Sequence, residues 1–458
     1  MKTQNSYPNE VSPEEVLSKQ TSTKHIPSKE PLDESRYKDE INASGELLSP
    51  NWVTTVAIIW CGQAASVFAT CAASFAAVWF ITESTASPIW LSLATASALL
   101  PVALLSPFGG VVADRFNRKY VMILADGCAG LFSLILAIVI LSGFLSVPLM
   151  LLLLAVRAGA QAFHGPALTA LLPHLVPERH LMRINSMDQA ITSLSSIAGP
   201  VLGIFLYTFI GLQGVMILDA SCAAIACACL AYAKIPDCKP AVLEHNSVLA
   251  DLKEGTSFIL QDKGLRNLML LIMFTMLLFM PASSLSPLMT YEHFHGNGWQ
   301  ASLIEAVFGI GLLVGSVVIM VWGGGKKHVP IIILSGIVLG LSLAGCGLLR
   351  SDQFVVFALL ISIAAAALGC YNAPMLPIIQ KRTPDEKLGR VMGIFLTGSS
   401  LAAPIGLMFS GFIAEEIGIT NWFIVCGLLV ALCCALGWFS RSIRNLDTKE
   451  NTQSELNS

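Results

Sequence analysis

Five ionisable side chains fall inside long apolar stretches of this 458-residue chain: Asp126, Arg157, Asp188, Asp219 and Glu305. A charge is costly in hydrocarbon, so groups at such depth either hold helices together or carry protons. Asp126, Arg157 and Glu305 are the candidates for proton exchange. A buried carboxylate that alternately gains and loses an arginine neighbour can bind a proton in one arrangement and release it in the other. Asp126 is the expected partner of Arg157, and Asp188 and Asp219 read as residues near the ends of their spans. Gln63, His164, Tyr371 and Asn372 could line a cavity for a large, mostly apolar solute, as could Trp79, Phe163, Phe279, Ser283 and Ser284.

A second cluster sits between two apolar segments, in the run Gly109-Gly110-Val111-Val112-Ala113-Asp114-Arg115-Phe116-Asn117-Arg118-Lys119. Asp114, Arg115, Arg118 and Lys119 cannot lie in hydrocarbon, so this turn belongs at a membrane surface. The paired glycines just before it allow two helices to approach closely.

The elements that position these residues follow from hydropathy. Hydrophobic residues make up 54% of the chain and charged residues 12%, against about a quarter charged in soluble domains. Mean hydropathy is +0.70. A window of about 20 apolar residues predicts twelve spans, near 54–81, 88–112, 119–143, 148–170, 184–208, 213–234, 266–290, 300–322, 329–349, 353–378, 390–413 and 421–441. Residues 1–50 are polar, without apolar periodicity or an early apolar core; they read as a disordered cytoplasmic tail and not as a signal peptide. Residues 442–458 read as a second cytoplasmic tail.

Sixteen Lys and Arg fall in one set of alternate loops and one, Arg350, in the other. The positive-inside rule then places both termini in the cytoplasm. The longest inside loop, 235–265, divides the chain into an N-terminal six-helix bundle, 51–234, and a C-terminal one, 266–441. The halves echo each other. Pro177-Glu178-Arg179-His180-Leu181-Met182-Arg183 recurs as Pro384-Asp385-Glu386-Lys387-Leu388-Gly389-Arg390, and Gly165-Pro166 and Ser196–Pro200 have counterparts at nearly the same offset. In the second half, the copy of the charged turn is Gly323-Gly324-Gly325-Lys326-Lys327, without the aspartate.

The spacing from Gly110 through Asp114, Arg115 and Arg118 to Lys119 resembles the signature between helices two and three of the major facilitator superfamily. That resemblance implies an all-α integral membrane fold of twelve transmembrane helices in two pseudo-symmetric six-helix bundles. It also implies alternating access, with the substrate between two rocking bundles. In the family, the acid corresponding to Asp114 docks at the start of a second-half helix, so Gly110, Asp114, Arg115, Arg118 and Lys119 are expected to form a gate. Gly199-Pro200-Val201-Leu202-Gly203 resembles the core of the motif found in proton-antiporting exporters, although Thr192, Ser193, Ser195 and Ser196 stand where upstream glycines are expected. The proline removes a backbone hydrogen bond and the glycines permit close packing, so a bend is expected there. Arg157 with Gln161 and Gly165 resembles the span-four motif linked to proton coupling. From Trp60-Cys61-Gly62-Gln63 to Asn185-Ser186 the chain is similar to exporters of macrolides, other drugs and siderophores.

These readings imply a secondary transporter of the bacterial cytoplasmic (inner) membrane. It is expected to act as a monomer and to move a small amphipathic solute outward against protons. An importer of the same fold, by solute/proton symport, is the alternative, and a lipid or metabolite transporter a further one. No GxxxxGK[ST] loop is present, which argues against an ATP-driven pump. No HExxH or GxSxG pattern suggests an enzyme. The twelve cysteines show neither CxxC spacing nor a histidine cluster, so they read as packing residues; no metal and no cofactor is expected. A net charge of −3 argues against a nucleic-acid partner.

Overall fold

In the computed structural model, the described residues are 52–233, 248–323, 325, 327–444 and 446. Among them are fourteen helices: α1 (Trp52–Thr85), α2 (Pro88–Arg115), α3 (Arg118–Leu141), α4 (Val147–Leu175), α5 (Glu178–Tyr232), α6 (Val248–Gln261), α7 (Lys263–Ser284), α8 (Ser286–Glu292), α9 (Gly298–Trp322), α10 (Val329–Gly347), α11 (Phe354–Asn372), α12 (Met375–Arg382), α13 (Asp385–Ile417) and α14 (Ile419–Phe439). Eleven helical stretches are long and apolar enough to cross a membrane. The longest, α5, has 55 residues. At 1.5 Å per residue it would reach about 80 Å if straight, far beyond a hydrocarbon core of about 30 Å. It breaks at Gly211, whose φ of 67° and ψ of 174° are non-helical and lie where only glycine is unstrained. The two limbs of α5 are two crossings, which makes twelve.

Local chemistry sets the helix ends. Proline stands in the first turn of α2, α4, α8 and α10, where its missing N–H costs nothing. Asn297 and Gln300 form a reciprocal capping box at α9, and left-handed Gly323 closes that helix.

Each half pairs its spans in the same way. The first packs on the fifth (α1 with the first limb of α5; α7 with α13), the second on the fourth (α2 with α4; α9 with α11), and the third on the sixth (α3 with the second limb of α5; α10 with α14). Small residues make these pairs close. A Cβ at Gly199 would lie 2.6 Å from Cys71 Cβ, and one at Gly203 would strike the Ala72 carbonyl. A Cβ at Gly406 would strike the Leu277 carbonyl at the equivalent pair of the second half.

The halves meet through α2 with α13 and the first limb of α5 with α9. All the cross-half contacts among specific side chains described below lie toward the end opposite the charged turn, called here the far end. Ser87 Oγ donates to Glu415 Oε2 at 3.0 Å, and the Ser92 and Ser410 hydroxyls are 3.1 Å apart. Trp79 meets Tyr291 edge-on at 5.8 Å between centroids. Along α5, Ile197 packs where Gly309 leaves room, but Leu194 and Met187, nearer the charged turn, are exposed. The molecule is closed at the far end and parted toward the charged turn.

The structure revises three sequence expectations. Residues 235–265 are not a plain loop: 248–261 form α6, held to the start of α13 by Arg390 Nη1 on Glu254 Oε2 at 2.7 Å. Residues 442–458 do not begin as a loose tail, because Ile443 and Leu446 are buried in the second half's core. The 353–378 span divides into α11 and α12 around Ala373 and Pro374. The helix runs through Pro200 without a non-helical residue, and the break at Gly211 falls in the gap between the fifth and sixth predicted spans. Tail 1–50, residues 235–247, Gly324, Lys326 and residues 447–458 lie outside the described residues.

Candidate functional site

Two tiers of polar side chains are buried among α1, α3, α4 and the second limb of α5. Gln63 and Thr70 on α1, Asp126 and Ser133 on α3, and Arg157 and His164 on α4 are each seven residues apart. Seven residues make two helical turns, so each pair shares a helix face about 10 Å apart along the axis. Three such pairs on three packed helices build one polar layer above another.

The tier toward the far end centres on Arg157 and Asp219. Arg157 Nη2 and Nε donate to Asp219 Oδ2 at 2.8 and 3.1 Å. Ser133 Oγ donates to the same oxygen at 2.6 Å, and Thr70 Oγ1 donates to Oδ1 at 2.9 Å. Arg157 Nε also reaches Ser133 Oγ at 3.0 Å, and Nη1 reaches Ser74 Oγ at 3.4 Å. With Asp219 at 3% and Arg157 at 7% exposure, this is a closed, fully donated ion pair. It corrects two expectations: Asp219 is not interfacial, and it, not Asp126, is the partner of Arg157. Sequence gave the depth of Arg157 but not its azimuth, and the second limb of α5 packs on α3, which carries Asp219 to the arginine.

The tier toward the charged turn centres on Asp126, 2% exposed. Gln63 Nε2 donates to Asp126 Oδ2 at 3.0 Å. His164 Nε2 stands 3.5 Å from the same oxygen, and Gln161 Nε2 3.5 Å from Oδ1. No guanidinium or ammonium enters this tier among the described contacts. Its one partner able to carry charge among the described contacts is the His164 imidazole. Asp188, half-buried on α5, lies within electrostatic reach of His164 on the side of the charged turn. Asp126 therefore has an amide and an imidazole beside it, while Asp219 is paired with the Arg157 guanidinium.

Glu305 stands apart in the second half, half-buried on α9, where Ser286 Oγ donates to its Oε1 at 3.2 Å. Tyr371 is fully buried in the second half's core beside Gly336, so it does not line a cavity here. Phe279 is likewise buried, stacked on Phe308. Asn372 is exposed at the end of α11; Phe163, Ser283 and Ser284 are half-buried. Trp79 belongs to the far seam. Of the proposed cavity residues, Gln63 and His164 are the two that join the Asp126 tier. Thr70, Ser74 and Ser133 escaped sequence reasoning, although their seven-residue and neighbouring spacings from Gln63 and Asp126 were a usable signal.

The charged turn is built around its caps. The Asn117 side chain accepts from Lys119 N at 3.0 Å and starts α3. Lys119 Nζ donates to the Ala231 and Ala233 carbonyls, each at 2.9 Å, at the C-terminal end of α5, where the helix dipole favours a cation. Arg118 Nε donates to the Ala113 carbonyl at 3.3 Å, and Arg115 is exposed. The two glycines differ. A Cβ at Gly109 would lie 2.7 Å from the Ala162 carbonyl of α4, so Gly109 makes the close approach expected of the pair, whereas Gly110 faces open space. Gly110 and half-buried Asp114 are one turn apart on the same face. In the Gly199, Pro200 and Gly203 motif, the glycines seat α5 directly on α1. Among the described residues, no group of three or more His, Cys, Asp or Glu side chains could hold a metal ion.

The chain as a whole is similar to known proteins. Residues 46–457 match the family model described as transmembrane secretion effector. The chain is 33% identical over 403 residues to macrolide efflux protein A of Streptococcus pyogenes, covering 87% of this chain and 99% of that protein. It is 24% identical over 388 residues to the multidrug efflux pump Tap of Mycolicibacterium fortuitum, covering 81% and 91%. Among solved structures, a variant of the nucleoside transporter NupG aligns with a TM-score of 0.67 at 14% identity, covering 84% of this chain and 98% of that one. A D-xylose-proton symporter aligns at 0.60 and 14%, covering 84% and 97%. With its twelve crossings, repeated pairing of spans and family match, the chain is a multi-pass membrane transporter, not an enzyme, and belongs to the transmembrane secretion effector family of the major facilitator superfamily.

Proposed function

We propose that this protein is a proton-driven efflux pump for amphipathic drugs of the macrolide type, working by alternating access in a bacterial cytoplasmic membrane. The observation that carries the reading is the contrast between the two buried aspartates. Asp219 has a permanent guanidinium and full hydrogen bonding, which suits a structural pair. Asp126 has an amide and an imidazole, partners that tolerate both a carboxylate and a carboxylic acid. In this reading Asp188, His164 and Asp126 form a relay from the charged turn inward, and Glu305 serves the second half. The macrolide and multidrug relatives favour a drug-like solute over a siderophore.

In the same reading, both termini and the charged turn are cytoplasmic, residues 51–234 and 266–441 are the two rocking bundles, and the pump works as a monomer. The parted end then faces the cytoplasm. Gly110 and Asp114 face the opening, free to receive a second-half helix N-terminus when that end closes, where its dipole would favour the carboxylate. One proton moved across 100 mV supplies about 2.3 kcal/mol, which sustains roughly a fifty-fold gradient of a neutral solute.

The test uses inside-out membrane vesicles energised by respiration and a labelled macrolide, erythromycin. Accumulation that collapses on adding a protonophore is expected. Accumulation indifferent to the protonophore would contradict proton drive, and drug uptake only in right-side-out vesicles would identify an importer.

A further inference from the structure

The far end holds a second feature that the transport reading does not use. A cavity of about 590 Å³ opens there, across the seam between the halves. Trp79, Tyr207 and Glu83 line it from the first half; Tyr291, Asn297 and Trp299 line it from the second. Trp79 is buried, and the exposed edge of Trp299 lies beside Phe205 of the first half, 6.3 Å between centroids. Tyr207 OH donates to Glu83 Oε2 at 2.9 Å. That bond fixes the carboxylate at the rim and leaves its other oxygen without a partner among the described contacts.

Aromatic rings that line one cavity together with a carboxylate suit a cation with an apolar body, attracted by ring quadrupoles and by the acid. The charge distribution of the molecule agrees. The far-end turns carry Glu83, Glu292, Asp352, Glu415 and Glu416. Their one Lys or Arg is Arg350, which faces Asp352 at 3.9 Å. A field of that sign concentrates cations at the cavity mouth.

We infer that this cavity is a binding site for organic cations with aromatic or alicyclic bodies, separate from the Asp126 tier. Because its walls come from both halves, an occupant bridges the seam and favours the arrangement closed at the far end. A ligand can shift an equilibrium only by binding one state better, and this site exists as a cavity with two-sided walls only while the seam is shut.

The full-length protein in lipid nanodiscs, titrated with tetraphenylphosphonium and followed by tryptophan emission, tests this. Quenching is expected, and Trp299→Phe should remove part of it. Glu83→Gln keeps an acceptor for Tyr207 and should weaken binding about tenfold, as should Tyr291→Ala. The uncharged analogue triphenylphosphine oxide should bind at least about tenfold more weakly than the cation. Equal affinity of wild type and both variants, or equal affinity for the charged and uncharged probes, would overturn the site. The inference does not need proton drive: binding that depends on Glu83 in a protein indifferent to protonophores would leave this site standing and remove the proton-driven reading alone.

Discussion

At the scale of single residues, the two buried aspartates should separate experimentally. Asp219→Ala leaves Arg157 charged and unpaired inside the first half, which typically costs about 3–5 kcal/mol. The apparent melting temperature in detergent should fall steeply. Asp126→Asn keeps an oxygen for the Gln63 amide and adds no unpaired charge, so stability should change by about 1 kcal/mol or less, with net proton-driven drug export lost. A melting temperature that falls equally in both variants would give Asp126 a structural role. Spacing alone exposed part of this site: Asp126, Arg157, Gln63 and His164 stood out as polar groups in apolar helices. Which acid meets the arginine did not show, because that choice depends on how the second limb of α5 rotates against α3. Thr70 and Ser133 were hidden for a different reason. Small hydroxyls are ordinary in membrane helices, where they can return their hydrogen bond to the helix backbone, so nothing in their type marks them.

At the scale of helices, close packing of α1 on α5 should be the most sensitive contact of the first half. Gly203→Val puts a branched side chain against the Ala72 backbone, and overpacking of this kind costs about 1–3 kcal/mol. Reduced yield of folded protein and a lower melting temperature are expected. Gly110 offers the opposite test. Its Cβ direction is open in this structure, so Gly110→Leu should fold and melt like the wild type, yet block transport if another helix must arrive there. Normal transport by that variant would remove the gating role of the Gly110–Asp114 face. The apolar windows located every crossing, since twenty residues of hydrocarbon-like sequence have one economical conformation in a bilayer. What they could not locate was α6, whose charged sequence reads as a loop until Glu254 finds Arg390. The break in α5 did show, because Gly211 falls in the gap between the fifth and sixth windows, 184–208 and 213–234.

At the scale of the whole molecule, the halves are joined at the far end and parted at the charged end, and transport requires that this reverse. Ser92 and Ser410 face each other across the joined seam with hydroxyls 3.1 Å apart. A Ser92→Cys, Ser410→Cys variant should be active when reduced and inactive when oxidised, with activity returning on reduction. Activity unaffected by a demonstrated cross-link would mean that the seam need not open. The most direct test of the proton-driven account is proton flux in proteoliposomes with a pH-sensitive dye trapped inside and a preset pH gradient. Adding erythromycin should speed the decay of that gradient with wild-type protein, and Asp126→Asn should abolish the acceleration while still exchanging labelled drug across the membrane at equal concentrations. Drug movement by wild-type protein with no accompanying proton flux, or a full proton response from Asp126→Asn, would contradict it.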